Sequence, residues 1–456
     1  MASAAEQMAA NLSWGTIAKA TDLRQRIFFT IGLLIVYRLG TYIPVPGIDG
    51  AALRNFMNEA QQGIGGMLNL FTGGAISRMG IFALGIMPYI SASIIVQLMA
   101  TMYEPWQHLK KEGALGREKM NQYTRYGTVG LAILQSYGIA ISLQAGEMVQ
   151  HPGLFFIATA MITLVGGTMF LMWLGEQITS RGVGNGVSLI IFIGIIAEVP
   201  AAMAQFLAQG RSGAISTPIV IGIILLVIAV IVFVVFMELG LRKIHIQYPR
   251  RQVGMKIYDG GSSHLPMKVN PSGVIPPIFA SSILLLPSTV GTFAGGEIGT
   301  GSSIMSWISA YFGFGQPLHL VLLAVLNVFF TYFYTRNVAF KTDDVADNLK
   351  NQNGFIPGIR PGKKTQEYLS YVMDRILVLG SAYLVAVVLM PEILISQLGI
   401  PFYFGGTSVL IVVAVTMDTI SQVQSHLLSH QYESLIEKSQ LRGKSRTARR
   451  RSPTRR

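Results

Sequence analysis

Long apolar runs alternate with short polar stretches along almost the whole chain. The polar segment 1–26 comes first, and the apolar run after it has no small-residue cleavage site, which predicts a retained span rather than a signal peptide. Runs of about 20 residues, the length that crosses a bilayer, lie near 27–43, 76–99, 122–143, 153–174, 183–206, 217–240, 273–293, 317–337, 371–391 and 404–424. The pattern therefore predicts an all-α polytopic membrane protein with ten transmembrane helices.

Two of these runs contain nearly the same motif, 188 residues apart. Residues 85–95 read GIMPYISASII, and residues 273–283 read GVIPPIFASSI. An odd number of predicted spans separates the copies, so they run in opposite directions through the membrane. We therefore predict two inverted five-helix halves, 27–206 and 217–424, joined by a hinge loop at 207–216, with the working site where the halves meet. Pro88 and Pro276 each remove a helical hydrogen bond and predict a kink in the second and seventh spans.

The charge distribution predicts the orientation of the spans. Only 12% of the residues are charged and the mean hydropathy is +0.49, whereas soluble domains carry about 25% charged residues. All but four of the 35 Lys and Arg residues fall on the side that holds both termini, which the positive-inside rule places in the cytoplasm. Among those four, Arg38 lies near the outer end of the first span. A charge inside a span is a functional candidate, with the alternative that the interface is close enough for its guanidinium to reach water.

The basic side also predicts contacts with partners. Two long loops, 241–272 and 338–370, carry more charge than orientation in the membrane requires, although orientation alone remains the simpler explanation. A turn stiffened by Pro357 and Pro361 presents Arg360 at its tip. The tail, 425–456, becomes Arg-rich after Lys438 and predicts a disordered segment that binds anionic lipid or RNA by charge. The candidate docking residues are Arg242, Lys243, Arg250, Arg251, Lys256 and Arg360.

A segment after the first span has an unusual composition. Residues 63–74 are apolar, too short to span the membrane and bracketed by glycines that can act as hinges. Irregular backbone at membrane depth persists only where it is buried in protein or faces water. The segment therefore predicts a short helix folded back into a cavity, with an ordinary outer loop as the alternative.

The sequence offers no chemistry of its own at the predicted membrane midplane. It has no cysteine, no phosphate-binding loop with its lysine, and only a pair of histidines, His426 and His430, at a spacing that could share a metal. We expect no enzyme activity, no metal and no cofactor, so that energy must come from a partner. A secondary transporter would share the inverted architecture but needs a polar midplane site. An intramembrane enzyme would need a Ser/Lys, paired Asp or His-rich motif inside a span, and the predicted spans contain none of these.

The repeated motif instead places branched aliphatic side chains on one face of each helix. Ile86 and Ile90 are four residues apart, and Val274 and Ile278 hold the equivalent positions in the second copy. If these faces meet, they form a narrow collar that excludes water and ions by dewetting. Ordinary helix packing is the alternative.

Four longer motifs resemble the SecY family of protein-conducting channels, specifically the bacterial type. They are FALGIMPYISAS at 82–93, WLGEQIT at 173–179, GFIPGIRPG at 354–362 and PFYFGGTS at 401–408, and the resemblance extends from residue 42 to residue 434. It implies an hourglass of two five-helix halves around a central pore that passes unfolded polypeptides. It also implies a lateral gate that releases apolar segments into lipid.

The resemblance also implies roles for particular residues. A pore ring falls on Ile86, Ile90, Val187, Ile191, Ile278 and Ile411, with Val187 where isoleucine is common. A plug helix falls on 63–74, represented by Gly63, Gly65, Gly66, Met67, Leu68, Asn69, Leu70 and Phe71. The lateral gate falls on Pro88, Ser91, Ser93, Gln97, Pro276, Ser281, Ser282 and Asn327.

The implied partners are the membrane subunits SecE and SecG, the motor ATPase SecA, the ribosome, signal peptides and nascent polypeptides. Anionic lipids and ribosomal RNA are further partners for the basic loops and tail. The implied location is the bacterial plasma (inner) membrane. The extended Arg-rich tail departs from the family pattern.

Overall fold

The computed structural model describes most of the chain as helix. The described residues are 21–50, 52–53, 69, 72–146, 148–213, 216–249, 251–253, 256–258, 261–293, 316–398 and 406–449. The helices, in chain order, are α1 Thr21–Gly40, α2 Met87–Met102, α3 Glu104–Lys111, α4 Ala114–Ala145, α5 Leu154–Arg181, α6 Gly186–Arg211, α7 Thr217–Leu239, α8 Ile275–Phe293, α9 Pro317–Tyr334, α10 Thr342–Asn351, α11 Lys363–Leu398 and α12 Thr407–Arg449.

Each predicted apolar run coincides with one of these helices. Seven of the described helices are long and apolar enough to cross a membrane, namely α4, α5, α6, α7, α9, α11 and α12, and α2 and α8 are shorter apolar helices. The first run coincides with α1, which carries Asp22, Arg24, Arg26 and Arg38 within 20 residues and falls outside that group. The structure thus has the helical, polytopic character that the hydropathy pattern predicts.

The two copies of the repeated motif have the same local structure. Gly85 and Gly273 both adopt positive φ, and α2 and α8 begin two residues later, at Met87 and Ile275. Pro88 and Pro276 are therefore the second residues of their helices, so the predicted kinks are wrong. The first turn of a helix has free N–H groups, and proline there loses no hydrogen bond. Residues 76–86 of the second predicted span form turns and a single bridge rather than helix.

The first basic loop contains strands that the sequence analysis did not predict. β1 (Leu241–Gln247) pairs antiparallel with β4 (Ser262–Lys268), and the short β2 (Arg251–Val253) pairs with β3 (Lys256–Tyr258). Gln247 and Phe355 exchange two backbone hydrogen bonds of 2.9 Å, which join this loop to the second basic loop. The two loops also share a buried apolar cluster with α11 that includes Ile244, Met267 and Ile356. They form one structural unit, here called the basic platform.

The largest buried cluster draws side chains from both predicted halves. It contains Ile90 of α2, Ile191 of α6, Ala280 of α8, Leu384 of α11 and Ile411 of α12. Helix α8 contacts α2 and α4, and α6 contacts α12. The repeated motifs therefore lie where the predicted halves pack against each other.

Candidate functional site

A small cavity lies at the meeting point of α2, α6, α8 and α12. Five of the six predicted ring residues line it, although they come from four separate parts of the chain. Among the described residues the lining consists of Thr72, Ile86, Met87, Ile90, Ile191, Ile278, Ser281 and Ile411.

The wall of this cavity is almost entirely aliphatic. Ile86, Ile90, Ile191 and Ile411 are each at least 93% buried, and Ile278 packs against the same cluster. The two hydroxyl groups in the wall are already engaged with backbone: Thr72 Oγ1 donates to Asn69 O at 3.2 Å, and Ser281 Oγ donates to Ile278 O at 3.1 Å. The wall therefore presents apolar surface and no charged side chain.

Val187 is the predicted ring residue that does not line this cavity. It lies one helical turn before Ile191 on α6 and packs at the edge of the same cluster, towards α5. A methyl group built on Gly175 of α5 would lie 3.3 Å from Val187 Cγ2. The structure thus brings five of the six ring residues together around the cavity, and the sealing role of the ring remains a prediction.

Sequence reasoning missed two lining residues, Thr72 and Met87. Met87 lies inside the repeated motif and is the first residue of α2, from where it lines the cavity. The motif alone does not predict where α2 begins, so it does not predict that Met87 lines the cavity. Thr72 immediately precedes Gly73 and Gly74 at the end of the predicted plug segment, and that position is the only sequence signal for it.

Most of the predicted plug lies outside the described residues. Among its named residues only Asn69 is described, and Gly63, Gly65, Gly66, Met67, Leu68, Leu70 and Phe71 are not. Asn69 organises the turn that follows: its side-chain oxygen accepts from Ser77 N and its carbonyl accepts from Gly74 N, both at 2.9 Å. The end of the segment, 72–74, is therefore a built turn on the rim of the cavity.

The predicted gate residues lie on α2, α8 and α9, and α8 contacts both of the other helices at a junction here called the seam. Ser91, Ser93 and Gln97 lie on α2 with Pro88, and Ser281, Ser282 and Pro276 lie on α8. Ser282 Oγ donates to Ile278 O at 2.7 Å, and Gln97 Nε2 donates to Ser93 Oγ at 3.1 Å. Phe279 and Phe330 pack edge to face between α8 and α9, with centroids 5.7 Å apart.

Two polar groups in this seam lack partners within the part of the chain that the structure describes. Gln97 Oε1 is buried without a hydrogen bond, and so are both amide atoms of Asn327, which is 1% exposed. Such groups lose hydration without recovering it as hydrogen bonds. The seam is therefore held less firmly than an apolar interface of the same area.

The basic platform presents three of the six candidate docking residues at its surface. Arg242 and Lys243 are exposed on β1, opposite Met267 and Pro266 of β4, and Arg360 is exposed on the proline-stiffened turn. Arg251 and Lys256 are placed by their backbone in β2 and β3, and Arg250 lies outside the described residues. The two backbone hydrogen bonds between Gln247 and Phe355 thus bring candidate docking residues from both loops onto one structural unit.

Within the described residues, no group of three or more His, Asp or Glu side chains could hold a metal ion. The side chain of His430 lies outside those residues.

Comparison with known proteins gives consistent matches over most of the chain. The family model described as SecY matches residues 80–420. The protein translocase subunit SecY of Escherichia coli K12 is 50% identical over 429 residues, which cover 93% of this chain and 96% of that protein. The protein of the same description from Rickettsia bellii is 49% identical over 428 residues, which cover 93% and 98%.

Solved structures give the same fold. One described as the structure of a protein conducting channel has a TM-score of 0.63 at 19% identity and covers 89% of this chain and 93% of its own. Another, Sec61 in a canine ribosome–channel complex, has a TM-score of 0.61 at 18% identity with the same coverage.

Proposed function

The chain belongs to the SecY family, and from this premise we propose that it forms the pore of a protein translocase, through which unfolded polypeptides cross the membrane. The observation that carries the proposal is the convergence of Ile86, Ile90, Ile191, Ile278 and Ile411 around one cavity. The motifs that supply Ile86, Ile90 and Ile278 come from the two copies of the inverted repeat. The position of the cavity supports a passage between the two predicted halves.

The chemistry of the wall suits a passenger of any sequence. Aliphatic side chains make no directional contacts, so they do not select among polypeptides, and a narrow apolar constriction excludes ions by dewetting when it is empty. Isoleucine side chains can also move aside without breaking hydrogen bonds. A resting seal and a sequence-independent conduit can thus be built from the same five residues.

A secondary transporter is the competing function with the same architecture. It would need charged or free hydrogen-bonding groups to hold its substrate and coupling ion. Among the described residues that line the cavity, the polar side-chain groups are the hydroxyls of Thr72 and Ser281, and both donate to backbone carbonyls. The cavity wall therefore supports a polypeptide pore over a carrier.

The seam between α2 and α8 is the exit that we propose for apolar segments. Once the two helices part, a segment in the pore is exposed to lipid. Each central leucine or isoleucine then gains about 0.3–0.6 kcal/mol, and each charged residue costs about 2.5–3.5 kcal/mol. Apolar segments enter the membrane and polar segments cross it. Signal peptides would leave by the same route.

The pore needs a partner to drive the polypeptide, and we propose that the basic platform receives it. Arg360, Arg242 and Lys243 are exposed on one unit, which suits docking of SecA or of the ribosome, including its RNA. SecE and SecG are the proposed membrane subunits, and anionic lipids the proposed contacts of the tail. In this arrangement the platform and both termini face the cytoplasm and the chain lies in the bacterial plasma membrane, in line with the positive-inside rule.

Photocrosslinking to an arrested polypeptide tests the pore. A photoreactive residue replaces Ile191 or Ile411 in the cavity, or Leu225, which is exposed on α7, as the matched control. A substrate with a folded C-terminal domain stops partway across. We expect crosslinks from Ile191 and Ile411 and none from Leu225. Crosslinks of equal yield at all three positions would contradict the pore.

A further inference from the structure

Two arginines and one glutamate meet at the rim of the cavity, where the glycine turn 72–74 ends the predicted plug segment. Arg38 comes from the end of α1, Arg78 from the turns before α2, and Glu198 from α6. Glu198 Oε1 lies 3.8 Å from Arg38 Nη2 and 4.0 Å from Arg78 Nη2. Arg38, Arg78 and Glu198 therefore link three separate parts of the chain.

Helix α1 holds the turn by two successive carbonyl groups. Arg38 Nη1 donates to Gly73 O at 2.5 Å, and Tyr37 OH donates to Thr72 O at 3.3 Å. Thr72 is 2% exposed and lines the cavity. Since a hydrogen bond from a charged donor is about twice as strong as one between neutral groups, Arg38 is the stronger of the two attachments.

Glu198 provides the negative charge that keeps the two arginines together. Both guanidinium groups lie over the ring of Tyr42, with distances from Cζ to the ring centroid of 5.0 Å for Arg38 and 4.3 Å for Arg78. The two cations against one ring repel each other, and the negative charge of the Glu198 carboxylate offsets this repulsion. The Glu198 side chain is 17% exposed, so the carboxylate is partly desolvated. The distances are longer than hydrogen bonds, so the attraction is mainly Coulombic.

At Gly73 and Gly74 the turn lies so close to α6 that a Cβ atom would meet it. A Cβ atom on Gly73 would lie 3.0 Å from Gly194 Cα, and a Cβ atom on Gly74 would overlap the Glu198 carboxylate. Both glycines also have positive φ, +65° and +79°. The turn is therefore built to rest against α6 at the position of Glu198.

We propose that Arg38 and Glu198 form an ionic latch that fixes the glycine turn against α1 and α6 and so holds Thr72 in the cavity wall. Both act as positioning residues. The effect on sealing rests on the proposed function, because a turn that leaves the rim opens the wall of the pore. The fixation itself does not depend on that function, and it can be measured separately.

The absence of cysteine from the chain allows a direct test. Thr72→Cys provides a single thiol, which the latch should protect from a membrane-impermeant maleimide added to the outer side of proteoliposomes. We expect Glu198→Gln and Arg38→Gln each to raise the labelling rate several-fold. Glu176→Gln is the matched control, because it removes an interhelical ion pair with Arg125 that does not touch the turn.

A charge swap separates the latch from general damage to the fold. Glu198→Arg places three cations together and should raise labelling above the level of Glu198→Gln. Adding Arg78→Glu to it restores alternating charge and should lower labelling again. Equal labelling of the parent, Glu198→Gln and Arg38→Gln would overturn the latch. A failure of the proposed function would appear elsewhere, as absent polypeptide transport by the unsubstituted, cysteine-free chain.

Discussion

Gly85 and Gly273 adopt the same left-handed backbone conformation, with φ of +57° and +61°, at equivalent positions of the two repeated motifs. In each copy a proline-containing helix begins two residues later, and a backbone hydrogen bond joins the residues four apart: Ile90 N to Ile86 O, and Ile278 N to Val274 O. Each glycine thus reverses the chain just before the helix that carries cavity-lining isoleucines.

Alanine at either glycine should lower stability. The left-handed conformation costs a residue with a Cβ atom roughly 1–2 kcal/mol. Gly85→Ala should be worse than Gly273→Ala, because its Cβ would lie 3.0 Å from Thr72 Cγ2, whereas nothing lies within 4 Å at Gly273. Thermal unfolding in detergent measures both. Gly222→Ala, in open space on α7, is the control, and a Gly273→Ala protein as stable as the control would refute the argument.

Serine in place of Ile191 should make the resting channel leak ions. The hydroxyl hydrates a wall that is otherwise aliphatic, so dewetting is lost, and we expect a several-fold rise in conductance across planar bilayers. Val187→Ser, one turn away on the same helix, should raise conductance much less, because Val187 does not line the cavity. Equal conductance in the two variants would contradict the position of the seal.

A covalent link between α2 and α8 should block transport. Cysteines in place of Ser91 and Ser281, joined by a short bifunctional reagent, would hold these contacting helices together. We expect export of long substrates to stop, because the gate helices cannot part. Each single-cysteine variant treated with the same reagent is the control. Undiminished export by the linked protein would exclude the seam as a gate.

Leucine at Asn327 should tighten the seam. It keeps the number of side-chain heavy atoms and removes two buried polar atoms that have no partner within the described residues. Relief of that desolvation is worth about 1–3 kcal/mol, so we expect a higher Tm and slower release of weakly apolar signal segments into lipid. Asn337→Leu, which removes a hydrogen bond to Phe333 O, should instead lower the Tm. An unchanged or lower Tm for Asn327→Leu would show that the amide is satisfied.

Charge reversal at Arg360 should impair motor-driven transport. The side chain is exposed on a turn braced by prolines, and Thr365 Oγ1 donates to its backbone carbonyl, so Arg360→Glu changes the surface without disturbing the turn. We expect slower SecA-dependent uptake into vesicles at normal insertion and Tm. Lys350→Glu, exposed on the neighbouring α10, is the control for net charge. Normal uptake by Arg360→Glu would remove the docking role.

Local patterns in the sequence predicted the helices and much of the cavity. Each apolar run predicted from hydropathy coincides at least in part with a helix, and the mirrored motif singled out Ile86, Ile90 and Ile278, which line one cavity. The family resemblance added Ile191 and Ile411. These predictions succeed because the length of an apolar run and the spacing of side chains along a helix are properties of consecutive residues.

Other features depend on where distant segments pack. The prolines suggested kinks, yet they begin helices, because the reversal at Gly85 and Gly273 sets the helix starts. The strand pairing that joins Gln247 to Phe355 links two loops whose individual sequences show only basic charge. Val187 satisfies the ring motif, but it lies one helical turn before Ile191 along α6 and does not line the cavity.

The sequence by itself determined a chain of apolar helices, an internal repeat and a surplus of positive charge on one side. The tertiary structure alone decided that Thr72 enters the cavity wall and that Arg38, Arg78 and Glu198 meet beside it. The physical reason is range: hydropathy and helical periodicity act between near neighbours in the chain, whereas an ion pair across 160 residues forms only after helix packing has brought its members within about 4 Å of each other.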